Sequence, residues 1–335
     1  MKGDVNAQNK TPSSFTSGPE ASPPQQQAGY IYATFLATRD GPYISRNSGS
    51  IHHRETGADS MWLIILSVLV VGLVWAGVRY RRIQRRRSLF NNPFPEAWLP
   101  ILEANVPLYL RLPLHLQREL QGLIQVFLDE KHFVGCAGLE IDAEIKVTIA
   151  AYACMLLLNR DHRYYPGFIT ILVYPSAYVV QSTKRDGLVE SEGFEVRLGE
   201  SWHRGPIVLA WDSVLHGALD IKDGHNVVFH EFAHKLDEED GSVDGVPLLG
   251  QRSRYISWAR TMSKEFEALR LRSDLGKASV LDHYGATNPA EFFAVLTETF
   301  FEKPHQLKTR HPELYEQVSA YYRLDPVEWV KSSDE

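Results

Sequence analysis

A chain of 335 residues with 44% hydrophobic residues can bury a sizeable core, as one large domain or as two smaller ones. A formal net charge of −6 leaves no general basic face, so direct nucleic-acid binding is not expected. The two cysteines, Cys136 and Cys154, lie in apolar surroundings and suggest neither a disulfide framework nor a cysteine-based metal site; any metal must be held by His and carboxylate.

Residues 1–60 are rich in Ser, Thr, Gln, Gly and Pro, as in TPSSFTSGPEASPPQQQAG, and show no sustained periodicity. Such a segment cannot bury enough apolar surface to offset chain entropy, so a disordered N-terminal extension is predicted. An alternative is that the natural start is Met61, which would make residues 1–60 an over-extended reading frame. Met61 to Val78 reads MWLIILSVLVVGLVWAGV without a charge. At 1.5 Å per residue this is just long enough for a hydrocarbon core of about 30 Å, and it predicts one transmembrane helix over 61–78.

Arg79, Arg81, Arg82, Arg85, Arg86 and Arg87 follow at once, in a basic juxtamembrane linker over 79–90. That collar belongs on the cytoplasmic side, which predicts a single-pass membrane protein with its remaining mass facing the cytoplasm. A cleaved signal peptide would carry its charges before the apolar run. If 61–78 were instead a buried core helix, the protein would be cytoplasmic.

Residues 91–330 have the composition of a folded domain. LHLQRELQGLIQVFLDEK (114–131) and AEIKVTIAAYACMLLLNR (143–160) carry apolar residues at helical spacing. FITILVYP (168–175) and GPIVLAW (205–211) are short, β-rich and bounded by Pro or Gly, as strands are. Helices are again predicted over 251–272, 288–304 and 311–324. The layout is α+β, with a small mixed sheet and no internal repeat.

VVFHEFAHKLD (227–237) contains His-Glu-x-x-His. On a helix His230 and His234 are i,i+4 neighbours on one face, so two imidazoles can reach one ion. Catalytic zinc takes three protein ligands and leaves a position for water, from which the adjacent Glu231 could remove a proton. The competing reading is a packed helix with two satisfied histidines.

Four carboxylates compete as third ligand. Asp240 stands where one class of zinc peptidase places its third ligand after a glycine turn, but position 237 is Asp rather than Gly. Asp237 reads better as a partner to a ligand or as a helix-end group. Glu291 and Glu298, seven residues apart, share a face of the helix starting near Asn288-Pro289. Glu291 is favoured because Tyr284, seven residues before it, lies where a loop could aim a phenol at an oxyanion. Glu298 reads as a residue orienting a ligand, or as a solvated helix carboxylate.

Three stretches, ESWHRGPIVLAW, NVVFHEFAHKLDEEDG with its following DGVP, and HYGATNPAEFFAVLTETFFEKP, resemble the MtfA (Mlc titration factor A) family of zinc peptidases, over nearly all of residues 91–330. The EFFA run and the tyrosine seven residues before its glutamate are also similar to the catalytic domain of anthrax lethal factor. The resemblance implies a gluzincin-like zinc metallopeptidase domain holding one Zn2+ per chain at His230, His234 and Glu291. It further implies Glu231 as general base, Tyr284 as oxyanion donor, and activity of the aminopeptidase type on peptide or protein substrates. The family's best-known bacterial members are soluble and cytoplasmic, so the apolar segment at 61–78 is a departure from them, and with the resemblance it implies a place in a bacterial inner membrane.

The same resemblance implies an alternative of another class, a non-catalytic anti-repressor that sequesters an Mlc-like transcriptional repressor. A third reading is a tethered regulator with a structural zinc. Strand GPIVLAW is a candidate sheet edge for pairing with an extended peptide.

Overall fold

The computed structural model describes residues 56–160, 164–176, 178–186, 189–197, 199–201 and 205–330. The extension expected at 1–60 therefore lies outside the described residues up to position 55. The chain divides at Ile65–Leu66, and the compact body is built from Leu66 onward.

Helix α1 (Thr56–Asn91) begins five residues before Met61 and runs without a break through the arginine-rich segment. Residues 79–90, read above as a linker, are thus helical. Their helix is supported from a distance: Arg82, Arg85 and Arg86 form ion pairs with Asp129 and Glu130. Met61–Asn91 is long and apolar enough to cross a membrane by length and composition, and its apolar side chains are exposed.

Short helices α2 (Leu99–Asn105) and α3 (Pro107–Arg111) lead to α4 (Leu114–Glu130). Leu116, Leu120, Leu123, Ile124 and Phe127 on α4 are buried at i, i+4, i+7, i+8 and i+11, the stripe expected of a core-facing helix. A four-residue strand, β1 (His132–Gly135), follows directly. Helix α5 (Ala143–Met155) is capped by Asp142, whose Oδ1 accepts from the amide of Ile145 at 2.9 Å, and is buried almost all round. It ends earlier than its apolar run predicts: residues 156–159 form turns, and Asn159 among them is left-handed (φ 56°).

The main sheet has the order β1-β2-β6-β5, with β2 at Thr170–Tyr174, β5 at Gly199–Ser201 and β6 at Ile207–Ala210. Strands β1, β2 and β6 are parallel, with Ile171 opposite Ile207 and Val173 opposite Leu209, whereas β5 runs antiparallel to β6. A separate antiparallel hairpin is formed by β3 (Tyr178–Asp186) and β4 (Val189–Arg197). The expectation that GPIVLAW forms a sheet edge is overturned. All four residues of β6 are buried, and the strand is paired on both sides, as continuous Val/Ile/Leu runs in parallel sheets usually are. The edge is β5.

Helices complete the body: α6 (Trp211–Leu219), α7 (Val227–Asp237), α8 (Arg252–Asp274), α9 (Pro289–Glu302), α10 (Pro304–Arg310) and α11 (Pro312–Tyr322). The body is mostly helical around a small sheet. Helix α7 passes through its middle, with Phe229 between the rings of Tyr152 and Phe301 and Phe232 against Phe127, Tyr165 and Phe168. Aromatic pairs of this kind each contribute about 0.5–1.5 kcal/mol beyond the area they bury, so α7 is held rigidly.

Candidate metal centre

Two caps set the geometry of the centre. Asn226 begins α7, its Oδ1 accepting from the amide of Phe229 at 3.1 Å, and this places His230 in the first full turn. Asn288 begins α9 in the same way, its Oδ1 accepting from the amide of Glu291 at 3.0 Å, with Pro289 at the first helical position. Because α7 and α9 pack together, the first turn of α9 delivers Glu291 to the His face of α7.

His230 Nε2 lies 2.9 Å and His234 Nε2 3.4 Å from the same oxygen, Glu291 Oε2. One ligand atom from each of these three residues falls within 4.8 Å of the others. Of the four carboxylates weighed above, only Glu291 joins both imidazoles in this cluster. Asp240 is exposed and closes its own turn, accepting from the amide and hydroxyl of Ser242. Asp237 is buried, and its Oδ2 accepts from the amide of Gly245 at 2.8 Å. Glu298 stands on the far side of His230, its Oε2 3.4 Å from Nδ1.

Burial alone would raise the Glu291 carboxyl, but its hydrogen bonds with His230 and His234 hold it at about 2. Burial would likewise lower the His230 imidazole, yet the charge of Glu298 and the hydrogen bonds to Glu291 and Glu298 raise it well above its ordinary value. Glu231 is pushed up to about 7 by burial, which the two histidines only partly offset. Its Oε2 is buried without a hydrogen-bond partner among the described residues. Tyr284 lies in a short 3₁₀ turn ahead of α9, 56% exposed, with its ring centroid 5.9 Å from that of His230.

Two imidazole nitrogens and a carboxylate oxygen converging on one point, beside a buried carboxylate oxygen with no partner, fit a divalent metal ion with three protein ligands. Sequence reasoning missed two residues at the back of the centre, Asn226 and Glu302. Asn226 carried a readable signal, an Asn immediately before an apolar helical run. Glu302 carried none, since its role depends on α7, more than sixty residues away.

Residues 80–323 match the family model of the glucose-regulated metallo-peptidase M90. An uncharacterized protein of Synechocystis sp. is 42% identical over 268 residues, covering 79% of this chain and 97% of that protein. Mlc titration factor A of Salmonella paratyphi A is 35% identical over 241 residues, covering 69% of this chain and 88% of the relative. The protein of that name from Salmonella gallinarum is 34% identical over 238 residues, covering 68% and 86%. The match takes in α7, the Tyr284 turn and α9, and extends over most of the chain: it belongs to the glucose-regulated metallo-peptidase M90 family, with the Mlc titration factor A proteins among its relatives.

Proposed function

We propose that the chain is a membrane-anchored zinc peptidase, of the gluzincin type and aminopeptidase-like, that hydrolyses peptide bonds with an activated water. The observation that carries this reading is the convergence of His230 Nε2, His234 Nε2 and Glu291 Oε2 beside the buried, unpartnered Oε2 of Glu231. His230, His234 and Glu291 would hold one ion per chain. When bound, zinc supplies a Lewis acid that lowers the pKa of water and polarises a carbonyl.

Glu231 accepts the proton of the attacking water and returns it to the leaving amine. Tyr284, standing over the ring of His230, donates its phenolic hydrogen to the developing oxyanion. An extended peptide adds to β5, an edge strand in contact with α7, the helix that carries the two histidines. The exposed apolar length of α1 and its following arginines support a single-pass anchor with the peptidase domain, residues 91–330, on the cytoplasmic face. The aminopeptidase preference rests on the family resemblance.

The test uses the full chain in detergent, with zinc content and hydrolysis of amino-acid and blocked-peptide reporters measured together. The parent is expected to hold about one zinc and to turn over reporters with a free amino terminus. Glu231→Gln should keep the zinc and lose turnover, whereas Glu291→Ala should lose the zinc. Equal zinc loss in both variants, or a parent without zinc, would refute the assignments.

Relatives named Mlc titration factor A favour a second reading, in which the chain binds an Mlc-like transcriptional repressor. A Glu231→Gln protein that captures such a repressor as tightly as the parent would support that role, and one that captures none would oppose it.

A further inference from the structure

We propose that Glu298, Asn226 and Glu302 form a positioning chain that fixes the tautomer and orientation of the His230 imidazole, an inference that rests on the metal-centre reading. Glu291, Glu298 and Glu302 are spaced i, i+7 and i+11, so one stripe of α9 carries all three carboxyls toward α7. The first meets both imidazoles at Nε2, the second stands behind His230 at Nδ1, and the third supports the cap from which α7 starts.

An imidazole that ligates through Nε2 carries its proton on Nδ1, and a carboxylate behind that nitrogen selects the tautomer and the ring plane. Glu298 is placed for this, with Oε2 3.4 Å from Nδ1. Its other oxygen, Oε1, accepts from the backbone amide of Asn226 at 3.1 Å, so both oxygens are committed and the carboxylate cannot swing. Asn226 is in turn fully committed. Its Oδ1 caps α7, its carbonyl accepts from the amide of His230, and its Nδ2 donates to Gly217 O at 3.4 Å and to Glu302 Oε1 at 3.2 Å. Gly217 is required for that approach, since a Cβ there would lie 2.9 Å from the carbonyl oxygen of His225.

Glu302 ends the chain. It is 1% exposed, and its Oε2 is buried without a hydrogen-bond partner among the described residues. Burial, together with the charges of Glu298 and Asp223, raises its pKa well above the ordinary carboxyl value. The hydrogen bond from Asn226 Nδ2 to Glu302 Oε1 anchors the cap of α7 from the far end of α9. Apolar side chains would fill the same space with less desolvation, so packing gives no reason for two buried glutamates. Holding His230 does.

The test measures zinc dissociation constants of the full chain in detergent by competition with a chromophoric chelator, beside the melting temperature of each metal-stripped protein. Glu298→Gln cannot offer an acceptor to both His230 Nδ1 and the Asn226 amide, and should weaken zinc by about 10–100-fold while the stripped protein melts near the parent. Glu302→Leu removes the acceptor for Asn226 and should weaken zinc by about tenfold. Glu302→Gln keeps that acceptor and should restore affinity to within about threefold of the parent. Glu298→Gln decides alone should Glu302→Leu not fold. Zinc binding by Glu298→Gln equal to that of a zinc-binding parent overturns the inference and leaves the metal centre standing; a parent that binds no zinc overturns both.

Discussion

Replacing Glu130 by glutamine should destabilise the body by about 2 kcal/mol, at least about twice the effect of Asp129→Asn one residue earlier. Glu130 is 13% exposed and receives two guanidinium forks. Arg86 donates through Nε at 2.6 Å and Nη2 at 2.7 Å, and Arg82 through Nε at 3.3 Å and Nη2 at 3.1 Å. Arg86 is itself only 22% exposed and stacks over the ring of Tyr164 at 4.5 Å, so removing its counter-charge leaves a partly desolvated cation. Burial pushes the Glu130 carboxyl up, but the two forks hold it at about 2, against an ordinary 4.5. That difference sets a ceiling of about 3 kcal/mol, which solvent screening at the exposed Arg82 reduces to about 2. Arg85, which pairs with Asp129, is 70% exposed, and a pair of that kind contributes at most about 1 kcal/mol.

Because the folded-state pKa of Glu130 is depressed, its contribution is present above about pH 4.5 and is lost as pH falls toward about 2. Chemical denaturation of the full chain in detergent, compared with Glu130→Gln at pH 7 and at steps below 4.5, measures both magnitude and sign. Equal losses in Glu130→Gln and Asp129→Asn, or a gap that does not close in acid, would refute the claim that this clasp is partly buried.

Tyr284→Phe should reduce turnover by about 10²–10³-fold with zinc content unchanged, read by kcat and metal analysis on one preparation; a loss of zinc would reassign the phenol. Gly245→Ala should destabilise by about 2–4 kcal/mol in a denaturant titration. Gly245 sits at φ 77°, and a Cβ there would lie 2.3 Å from the carbonyl oxygen of Pro289, at the start of α9. Stripping the metal with a chelator should lower the melting temperature, and zinc at about 1,000 times its dissociation constant should restore about 4 kcal/mol. An unchanged melting curve would mean that the three ligands do not bind the ion in the folded state.

What the sequence made legible was local. His230 and His234 face one way because four residues make about one helical turn, and α9 starts where Asn288-Pro289 says it should, which puts Glu291 in its first turn. What it hid depends on partners distant in the chain. Arg82 to Arg86 read as a linker because they carry no apolar stripe, and only Asp129 and Glu130, more than forty residues on, explain their helix. Ile207–Ala210 is a short apolar run that reads alike as edge or interior; pairing on both sides and burial of all four residues make it interior, with β5, a segment too short to show alternation, beyond it. Glu302 is in sequence a helix-end carboxylate like any other, and its role rests on Asn226, which donates to it from the start of α7. The division has a physical cause. Ligands placed by a helix period are written in neighbouring residues, whereas the groups that hold those ligands still are written in whichever element packs behind them, here the far end of α9.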